Sequence, residues 1–279
     1  MLSVVVPAHN EGKVIERCLS ALLDGLQNTD HEIIVVCNGC EDDTAARARA
    51  FPSVLVIELV QASKIAALNA GMRAASGFPL AFVDADVELR GSDLLTAARH
   101  LESPGIKIVA PGLLVDLGRS TYPVRCFYRV WTQLPYFADG SMVGSGVFIL
   151  SESGRARFSE FPSVIADDGF IRAIFARDER LTATECKFRV FAPVTLGDLI
   201  RIKTRVRLGN IELNQKYPNL TAGKENTPGA MTSLLCRQPG LIAAVIIYIF
   251  VQWRTRQEAE KRRVIADFST WERDESSRI

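Results

Sequence analysis

The chain has 279 residues, of which 48% are hydrophobic and 23% are charged, and 33 Lys plus Arg against 32 Asp plus Glu give a formal net charge of +1. This composition describes a globular protein with a substantial core and excludes disordered and collagen-like chains. The near-zero net charge argues against a nucleic-acid binder, which usually has a strongly basic face. The six cysteines are too scattered for a disulfide framework, and the first residues match no secretory signal, so we expect a cytoplasmic protein.

Short apolar runs alternate with helical patterns over about the first 115 residues. This alternation is typical of βαβ units that build a parallel sheet covered on both faces. The predicted strands are Leu2–Val6, Glu32–Val36, Val54–Leu59, Leu80–Val83 and Lys107–Ala110. The predicted helices are one capped by Asn10, then Thr44–Ala50, Lys64–Ala75 and Ser92–Leu101 with Ser92 as its N-cap. We therefore expect an α/β, Rossmann-like doubly wound, mostly parallel sheet.

The segment after Pro111 contains more aromatic residues and loops. Between Gly118 and Gly146 the aromatic residues are Tyr122, Phe127, Tyr128, Trp131, Tyr136 and Phe137. These rings either line a substrate pocket or form an aromatic core beneath long loops. A strand over Val143–Leu150, a helix over Asp168–Arg177 and a strand over Lys187–Phe191 complete the expected domain, which ends near residue 215.

An uncharged apolar stretch, Leu241–Val251, lies within the last part of the chain and is followed by Trp253 and several basic residues. Its length is about half of the roughly 20 residues that a membrane-spanning helix needs. We expect a C-terminal helical extension over residues 216–279. Its apolar helix either makes peripheral contact with the inner face of the membrane through residues 239–253 or packs against protein.

Two aspartates, Asp84 and Asp86, directly follow the predicted strand Leu80–Val83. In extended backbone, residues i and i+2 project to the same side, so the two carboxylates can converge on one cation. Carboxylate pairs suit Mg²⁺ or Mn²⁺, which usually share their coordination with substrate phosphates. The ligand crevice of an open α/β sheet lies beyond the carboxyl ends of its strands, which is where this pair is expected.

Two polar loops, Pro7–Glu11 and Cys37–Asp43, follow the first two predicted strands at the same sheet edge. Small and polar residues there let backbone N–H groups approach a nucleotide, although each loop alone is equally a turn before a helix. Together with the aspartate pair they predict one pocket.

Four segments, in order, resemble glycosyltransferase family 2, whose members have the GT-A fold: VVVPAHNE (residues 4–11), IIVVCNGCEDDT (33–44), SKIAALNAGMRAASG (63–77) and FVDADVEL (82–89). The resemblance covers about the first 110 residues and extends more loosely to about residue 215. It implies a nucleotide-sugar-binding half over residues 1–115 and an acceptor half over 116–215. It also implies a nucleoside diphosphate sugar donor, a hydroxyl-bearing acceptor (a glycan, a lipid-linked compound or a small molecule), Mn²⁺ or Mg²⁺, and transfer with inversion.

Other classes of function remain open from the sequence. A non-catalytic nucleotide-sugar-binding module and a nucleotidyltransferase would use the same kind of pocket. The spacing of Cys37 and Cys40 is also found in thiol–disulfide oxidoreductases, and with His9 it offers three ligands for zinc. Neither cysteine-based interpretation explains the aspartate pair.

The resemblance assigns roles to individual residues. The donor-binding residues that it implies are Pro7, Ala8, Asn10, Glu11, Asn38, Lys64, Asp84, Arg205 and Arg207. The metal ligands that it implies are Asp86 and Asp84. Asn38 stands where the family often has an acidic residue that contacts the base, so the preferred base is left open. The segment with Arg201, Lys203, Arg205 and Arg207 either closes over the donor diphosphate or forms a solvated face.

An acidic dipeptide, Asp167–Asp168, resembles the one that family members carry below the acceptor site. The resemblance makes Asp168 the base that takes the proton of the acceptor hydroxyl, with Asp167 as the second choice. The alternative is a pair of acids that favours the start of a helix. Gly144, Ser145 and Gly146 are implied as an acceptor-binding segment or are a tight turn. The Gln-x-x-Arg-Trp motif of processive synthases is absent from the sequence, which favours a single transfer per binding event.

Overall fold

The computed structural model describes residues 1–138, 145–220 and 228–265 of the chain. Within these residues eight strands form one sheet. The strands are β1 (Leu2–Ala8), β2 (His31–Asn38), β3 (Val54–Leu59), β4 (Leu80–Val83), β5 (Glu88–Leu89), β6 (Ile108–Asp116), β7 (Val147–Leu150) and β8 (Arg180–Phe191). The helices are α1 (Ile15–Leu23), α2 (Thr44–Arg49), α3 (Lys64–Ala74), α4 (Gly91–Arg99), α5 (Tyr122–Trp131), α6 (Pro135–Ala138), α7 (Glu152–Arg155), α8 (Asp167–Ile174), α9 (Leu196–Lys216), α10 (Pro228–Arg237) and α11 (Ile242–Ile265).

The sheet has the order β3-β2-β1-β4-β7-β6-β8-β5. Strands β1 to β4 are mutually parallel where they pair, and β6 is parallel to β8. Strand β7 is antiparallel to both of its neighbours, β4 and β6. The predicted α/β class with a mostly parallel sheet is therefore confirmed, but β6 is separated from β4 by an antiparallel strand that the sequence pattern did not place there.

The central strands are covered on both faces. Every residue of β1 is buried, which is expected for a parallel strand made of a continuous apolar run. Helix α3 lies close against one face, because a Cβ on Gly71 would be only 2.3 Å from Cγ1 of Val5. The helix begins where the hydroxyl oxygen of Ser63 accepts a hydrogen bond from the N–H of Ala66. Lys64 is thereby fixed at the first turn of α3, beside the carboxyl ends of the strands.

Both predicted capping residues are wrong. Helix α1 begins at Ile15, with Val14 at the N-cap position. Asn10 has a left-handed φ of 53°, and its side-chain oxygen accepts hydrogen bonds from the next loop instead of from α1. Helix α4 begins at Gly91, one residue before Ser92, and the N-cap is Arg90.

Several predicted boundaries also differ from the structure. Strand β8 begins at Arg180, seven residues before the predicted start, and continues through an irregularity opposite Pro111 and Gly112 of β6. The predicted strand Val143–Leu150 is observed only over Val147–Leu150, since residues 139–144 lie outside the described residues.

Part of the aromatic segment forms a core, although Tyr122 is 69% exposed. Phe127 of α5 is fully buried and stacks on Tyr248 of α11, with ring centroids 5.1 Å apart. Helices α5, α9 and α11 share one hydrophobic cluster, which includes Val124, Leu199 and Val245. This cluster joins residues from both sides of position 215, and the division of the chain at that position remains a prediction.

The C-terminal apolar helix packs against the domain along one face. Leu241, Ala244, Val245, Tyr248 and Val251 are buried. Among the described residues, no single helix is both long and apolar enough to cross a membrane. The segments Gly229–Arg237 and Pro239–Arg263 meet the criteria of length and composition only as a pair, and that pair is bent by 117°.

Candidate active site

The two predicted loops meet at the carboxyl ends of β1 and β2, because these strands are parallel neighbours. The side-chain oxygen of Asn10 accepts hydrogen bonds from the N–H groups of Glu41 and Asp42, at 2.7 and 3.3 Å. In return, the N–H of Glu11 donates to the hydroxyl of Thr44 at 2.7 Å. The N–H of Gly12 donates to the Asp42 carboxylate at 3.0 Å. These bonds hold the two loops as one rigid lining.

Asn38 contributes to the same lining from below. It is only 2% exposed, and its side-chain amide donates to the carbonyl of Ala8 at 2.8 Å. The carbonyl of Asn38 is 2.6 Å from Nδ1 of His9. Pro7 and Ala8 lie in the buried strand β1, and Glu11 is 6% exposed. Asn38 therefore orders the loop that the resemblance assigns to the nucleoside, and its contact with a base remains a prediction.

Asp84 and Asp86 follow β4, as the sequence indicates, and successive side chains there alternate between the exposed and the buried side. Ala85 is buried, whereas both aspartates are partly exposed. The N–H of Asp84 donates to the carbonyl of Gly146 at 2.8 Å. Gly146 has a φ of 105°, and a Cβ there would lie 3.0 Å from Val87, so glycine fits this turn best. The segment assigned to the acceptor thus contacts the aspartate pair directly.

Lys64 joins the aspartate pair to the acidic dipeptide. Its Nζ lies 2.8 Å from Oδ1 of Asp84 and 3.1 Å from Oδ2 of Asp167. Asp84 follows β4 and Asp167 is the first residue of α8, so one ammonium group connects segments that are far apart in the sequence. The resemblance assigns Lys64 to the donor, but no local pattern in the sequence links Lys64 to Asp167.

Several acidic side chains surround the ammonium group of Lys64. Burial raises the pKa of Asp84 to about 6, Lys64 opposes that shift, and Asp167 and Asp86 add to it. The pKa of Asp167 is also raised, by burial first, with Lys64 and Arg205 acting in the opposite direction. Burial alone would lower the pKa of Lys64, but its two carboxylate partners raise it instead. The neighbouring aspartates, which also raise the pKa of Asp84, concentrate negative charge here, and this charge favours the binding of a cation.

The two members of the acidic dipeptide differ in their surroundings. Asp167 is 6% exposed and is paired with Lys64. Asp168 is more exposed, and its Oδ2 accepts a hydrogen bond from the N–H of Ser145 at 3.2 Å. Both lie in the first turn of α8, whose N-cap is Ala166, so a favourable interaction with the helix dipole is also present. Gly144 lies outside the described residues.

The predicted basic segment belongs to α9 and is divided by the helical geometry. Residues two apart on a helix are about 200° apart around its axis, so the four basic side chains do not form one row. Burial raises the pKa of Asp167, and the positive charge of Arg205 opposes that shift. Lys203 lies instead over the Trp131 ring, 3.7 Å from its centroid, and Arg201 pairs with Asp198. The structure therefore brings Arg205 toward the acidic cluster, and the role of Arg207 remains a prediction.

The residues present fit a divalent cation shared with a ligand. Asp84 and Asp86 supply hard oxygen donors beside excess negative charge. Within the part of the chain that the structure describes, no group of three or more His, Cys, Asp or Glu is arranged to hold a metal ion. Two carboxylates leave several positions of an octahedral ion for phosphate oxygens and water, which is the usual arrangement for Mg²⁺. The zinc site of Cys37, Cys40 and His9 finds no support.

A family model described as Glycosyl transferase family 2 matches residues 3–160, more than half of the chain. The chain belongs to glycosyl transferase family 2. The match covers β1 to β7, and thus both loops, Lys64 and the aspartate pair. Helix α8 with the acidic dipeptide lies beyond it.

Two curated relatives match the N-terminal part. Glycosyltransferase AglE of Haloferax volcanii is 32% identical over 114 residues, which is 39% of this chain and 38% of the relative. Dolichol-phosphate mannosyltransferase of Pyrococcus furiosus is 24% identical over 146 residues, 44% of this chain and 41% of the relative. The chain thus spans about two fifths of the length of these relatives.

Solved structures share the fold over nearly the whole chain. Mannosyltransferase PcManGT from Pyrobaculum calidifontis, in complex with GDP-Man and Mn²⁺, is 19% identical with a TM-score of 0.60 and covers 96% of this chain and 81% of its own. S. aureus TarS 1–349, in complex with UDP, is 16% identical with a TM-score of 0.53 and covers 99% and 94%. The fold class expected from the resemblance is confirmed.

Proposed function

We propose that this family 2 member transfers a sugar from a nucleoside diphosphate donor to the hydroxyl group of an acceptor, with the aid of a divalent cation and with inversion. The observation that carries the proposal is the pairing of Lys64 with both Asp84 and Asp167. This pairing supports the proposal because it joins Asp84, a predicted cation ligand, to the acidic dipeptide that contains the predicted base, Asp168. Relatives named as glycosyltransferases, and neighbours holding GDP-Man with Mn²⁺ or UDP, support the same chemistry.

The donor side of the reaction is assigned to the sheet edge. The nucleoside lies against the rigid lining formed by Pro7–Glu11 and the loop after β2, with Asn38 and Glu11 beneath it. Asp84 and Asp86 would hold the Mn²⁺ or Mg²⁺ ion, which when bound would offset the negative charge of the nucleoside diphosphate. Lys64 and Arg205 add positive charge beside the same phosphates. Arg207 is assigned to the diphosphate on the resemblance alone.

The acceptor side is assigned to the start of α8 and to Ser145 and Gly146. The Asp168 carboxylate takes the proton of the acceptor hydroxyl as that oxygen attacks the anomeric carbon. The N–H of Ser145 orients this carboxylate, since it donates to Oδ2. Asp167 is the weaker candidate because its carboxylate is buried and paired with Lys64. A single displacement of this kind inverts the configuration of the sugar.

The proposal is tested by incubating the full chain with a panel of UDP- and GDP-sugars, with Mn²⁺ or with EDTA. We expect metal-dependent release of a nucleoside diphosphate, and we expect Asp86→Asn to abolish it. Asp178→Asn is the matched control, because Asp178 is exposed and lies in the short segment between α8 and β8, outside the cluster. Release of pyrophosphate from nucleoside triphosphates would instead support a nucleotidyltransferase. Tight binding without turnover, across sugars and acceptors, would support a binding module.

We also propose that α11 contacts a membrane surface. Its outer face exposes Ile242, Ile246, Ile249, Phe250 and Trp253, which follow one another at helical spacing. Beyond this stripe, up to residue 265, α11 carries five basic residues against two glutamates. An apolar stripe with an aromatic and basic border is typical of helices that lie in the interface of anionic membranes.

This second proposal predicts co-sedimentation with vesicles that contain phosphatidylglycerol, and weaker binding to pure phosphatidylcholine. The double variant Ile249→Gln, Trp253→Gln should abolish binding, whereas Leu55→Gln, a change at an equally exposed apolar residue of β3, should not. If the stripe instead mediates dimerisation, the double variant would become monomeric and vesicle binding would be absent from the start. A cytoplasmic location remains a prediction from the sequence.

A further inference from the structure

The loop after β2 contains two cysteines that face each other. Cys37 lies near the end of β2, and Gly39 turns the chain with a φ of 58° so that Cys40 returns toward it. The N–H of Gly39 donates to the carbonyl of Leu59 at 2.8 Å, which fixes the turn. The two thiols share a hydrogen bond. Cys40 also packs against the hydrophobic cluster that contains Cys37.

The thiol of Cys40 also touches the loop that is assigned to the nucleoside. Its Sγ accepts a hydrogen bond from the N–H of Asn10 at 3.3 Å and donates to the carbonyl of Ala8 at 3.5 Å. Cys40 is partly exposed, whereas Cys37 is buried. Cys40 is thus accessible to a reagent from solvent, and Cys37 is placed to react with the oxidised Cys40.

We propose that Cys37 and Cys40 form an oxidisable dithiol that closes to a disulfide and thereby loosens the loop Pro7–Glu11. With hydrogen peroxide as oxidant, the Cys40 thiolate attacks one peroxide oxygen, giving a sulfenic acid and hydroxide. The Cys37 sulfur then attacks the Cys40 sulfur, an S–S bond forms, and the sulfenic oxygen leaves as water. In total the two thiols lose two protons and two electrons, and one peroxide molecule becomes two molecules of water.

The surroundings favour Cys40 as the attacking group. Its hydrogen bond with Cys37 and the N–H of Asn10 lower the pKa of Cys40 to about 6, although burial opposes this shift. By contrast, burial raises the pKa of Cys186 to about 11. The thiolate is the nucleophile in such reactions, so peroxide should select Cys40 over the buried cysteines.

Disulfide formation should weaken the contacts of the Cys40 Sγ with the N–H of Asn10 and the carbonyl of Ala8, because the sulfur is then bonded to Cys37. The hydrogen bonds from Asn10 to Glu41 and from Glu11 to Thr44 do not involve sulfur and should persist. We therefore expect a local loosening of the loop, without unfolding of the domain. A consequent fall in nucleotide affinity rests on the proposed function, whereas disulfide formation does not.

The test uses the full chain treated with equimolar hydrogen peroxide, alkylated, and digested with a protease that cleaves after glutamate. Cleavage after Glu32 and Glu41 gives the peptide 33–41, which contains no cysteine other than this pair. We expect that peptide to resist alkylation and to be about 2 Da lighter than its reduced form, reversibly with dithiothreitol. Recovery of the peptide with both cysteines alkylated, while the exposed Cys236 is oxidised, would overturn the proposal.

Amide hydrogen exchange tests whether the disulfide loosens the loop Pro7–Glu11. Oxidation should speed exchange in peptides covering residues 7–11 by about fivefold, the effect of losing one ordinary hydrogen bond. The Cys40→Ser variant should show no change on oxidation, and Cys236→Ser should respond like the unaltered chain. Unchanged exchange in a fully oxidised sample would show that the disulfide does not act on the loop. Titration with UDP and GDP, before and after oxidation, then tests the link to donor binding separately.

Discussion

Replacing Lys64 by Met tests whether one ammonium group holds the two acidic segments together. Lys64 is 19% exposed and its partner Asp167 is 8% exposed, so this ion pair is shielded from water, whereas Asp84 is 33% exposed and its pair with Lys64 is partly screened. The methionine side chain keeps much of the volume of lysine but removes its charge. Asp84 and Asp167 would then lose the ammonium group that pairs with both of them.

The size of the effect follows from the two distances, 2.8 and 3.1 Å. At an effective dielectric constant of about 20, each contact supplies roughly 5 kcal/mol of attraction. The burial of the ammonium group cancels a large part of this sum, and removing one partner of a buried pair typically costs about 3–5 kcal/mol. We expect a loss of that order in the free energy of unfolding at pH 7.5 in EDTA.

Urea unfolding of the two proteins measures the loss, and Arg73→Met is the matched control. Arg73 lies on the same helix and pairs with Glu160 at 2.7 Å, but both side chains are about 60% exposed. An exposed pair contributes less than about 1 kcal/mol. Mn²⁺ should restore part of the stability of Lys64→Met, because the cation would occupy the acidic cluster. Equal losses in the two variants, or no response to Mn²⁺, would refute this account of Lys64.

Three further predictions concern single residues. Asp168→Asn should retain nucleotide binding, measured by calorimetry, but its transfer rate should fall by about 100-fold or more. If only Asp167→Asn lowers the transfer rate in this way, the base is Asp167. Because a cation competes with protons for Asp84, whose pKa is raised to about 6, Mn²⁺ affinity should fall as pH decreases through 6, and a flat titration would contradict this. Burial lowers the pKa of Lys203 from 10.5 to about 7, so the unfolded chain binds more protons between those values and stability rises with pH there. Because the cation–π contact with Trp131 offsets part of the cost of burying the ammonium group, Lys203→Met should stabilise the fold by only about 1–2 kcal/mol at pH 7 and by less at pH 10; Lys13→Met, at an exposed site, should do neither.

The first half of the fold could be predicted because its signals are local. Leu2–Ala8 and His31–Asn38 are continuous apolar runs with a helical pattern between them, and a parallel sheet requires this kind of sequence. The capping error at Asn10 arises because a cap depends on where the residue's hydrogen-bond partners lie. The side chain of Asn10 is used by Glu41 and Asp42, and neither contact can be inferred from the residues next to Asn10.

The candidate site could be predicted only in parts. The aspartate pair was found because it follows a strand directly, and strand ends form the crevice of such sheets. The interpretation of the basic segment was incomplete, because the alternating pattern suggests a strand whereas the residues lie on α9. Its Lys203 packs among aromatic rings that are about 70 residues earlier in the chain. The bridge from Lys64 to Asp167 was missed for the same reason, since only tertiary structure brings these residues together.

The antiparallel direction of strand β7 explains how Ser145 and Gly146, which are assigned to the acceptor, reach the aspartate pair. Val147, the first residue of β7, is opposite Val83, the last residue of β4. Gly146 and Ser145 therefore lie beside Asp84, and the N–H of Asp84 and the carboxylate of Asp168 both bond to this segment. A parallel strand in the same place would bring Leu150 to that edge and carry Ser145 to the opposite one. The direction of this one strand, which no local pattern in the chain reveals, decides whether the predicted base and the predicted cation ligands belong to one site.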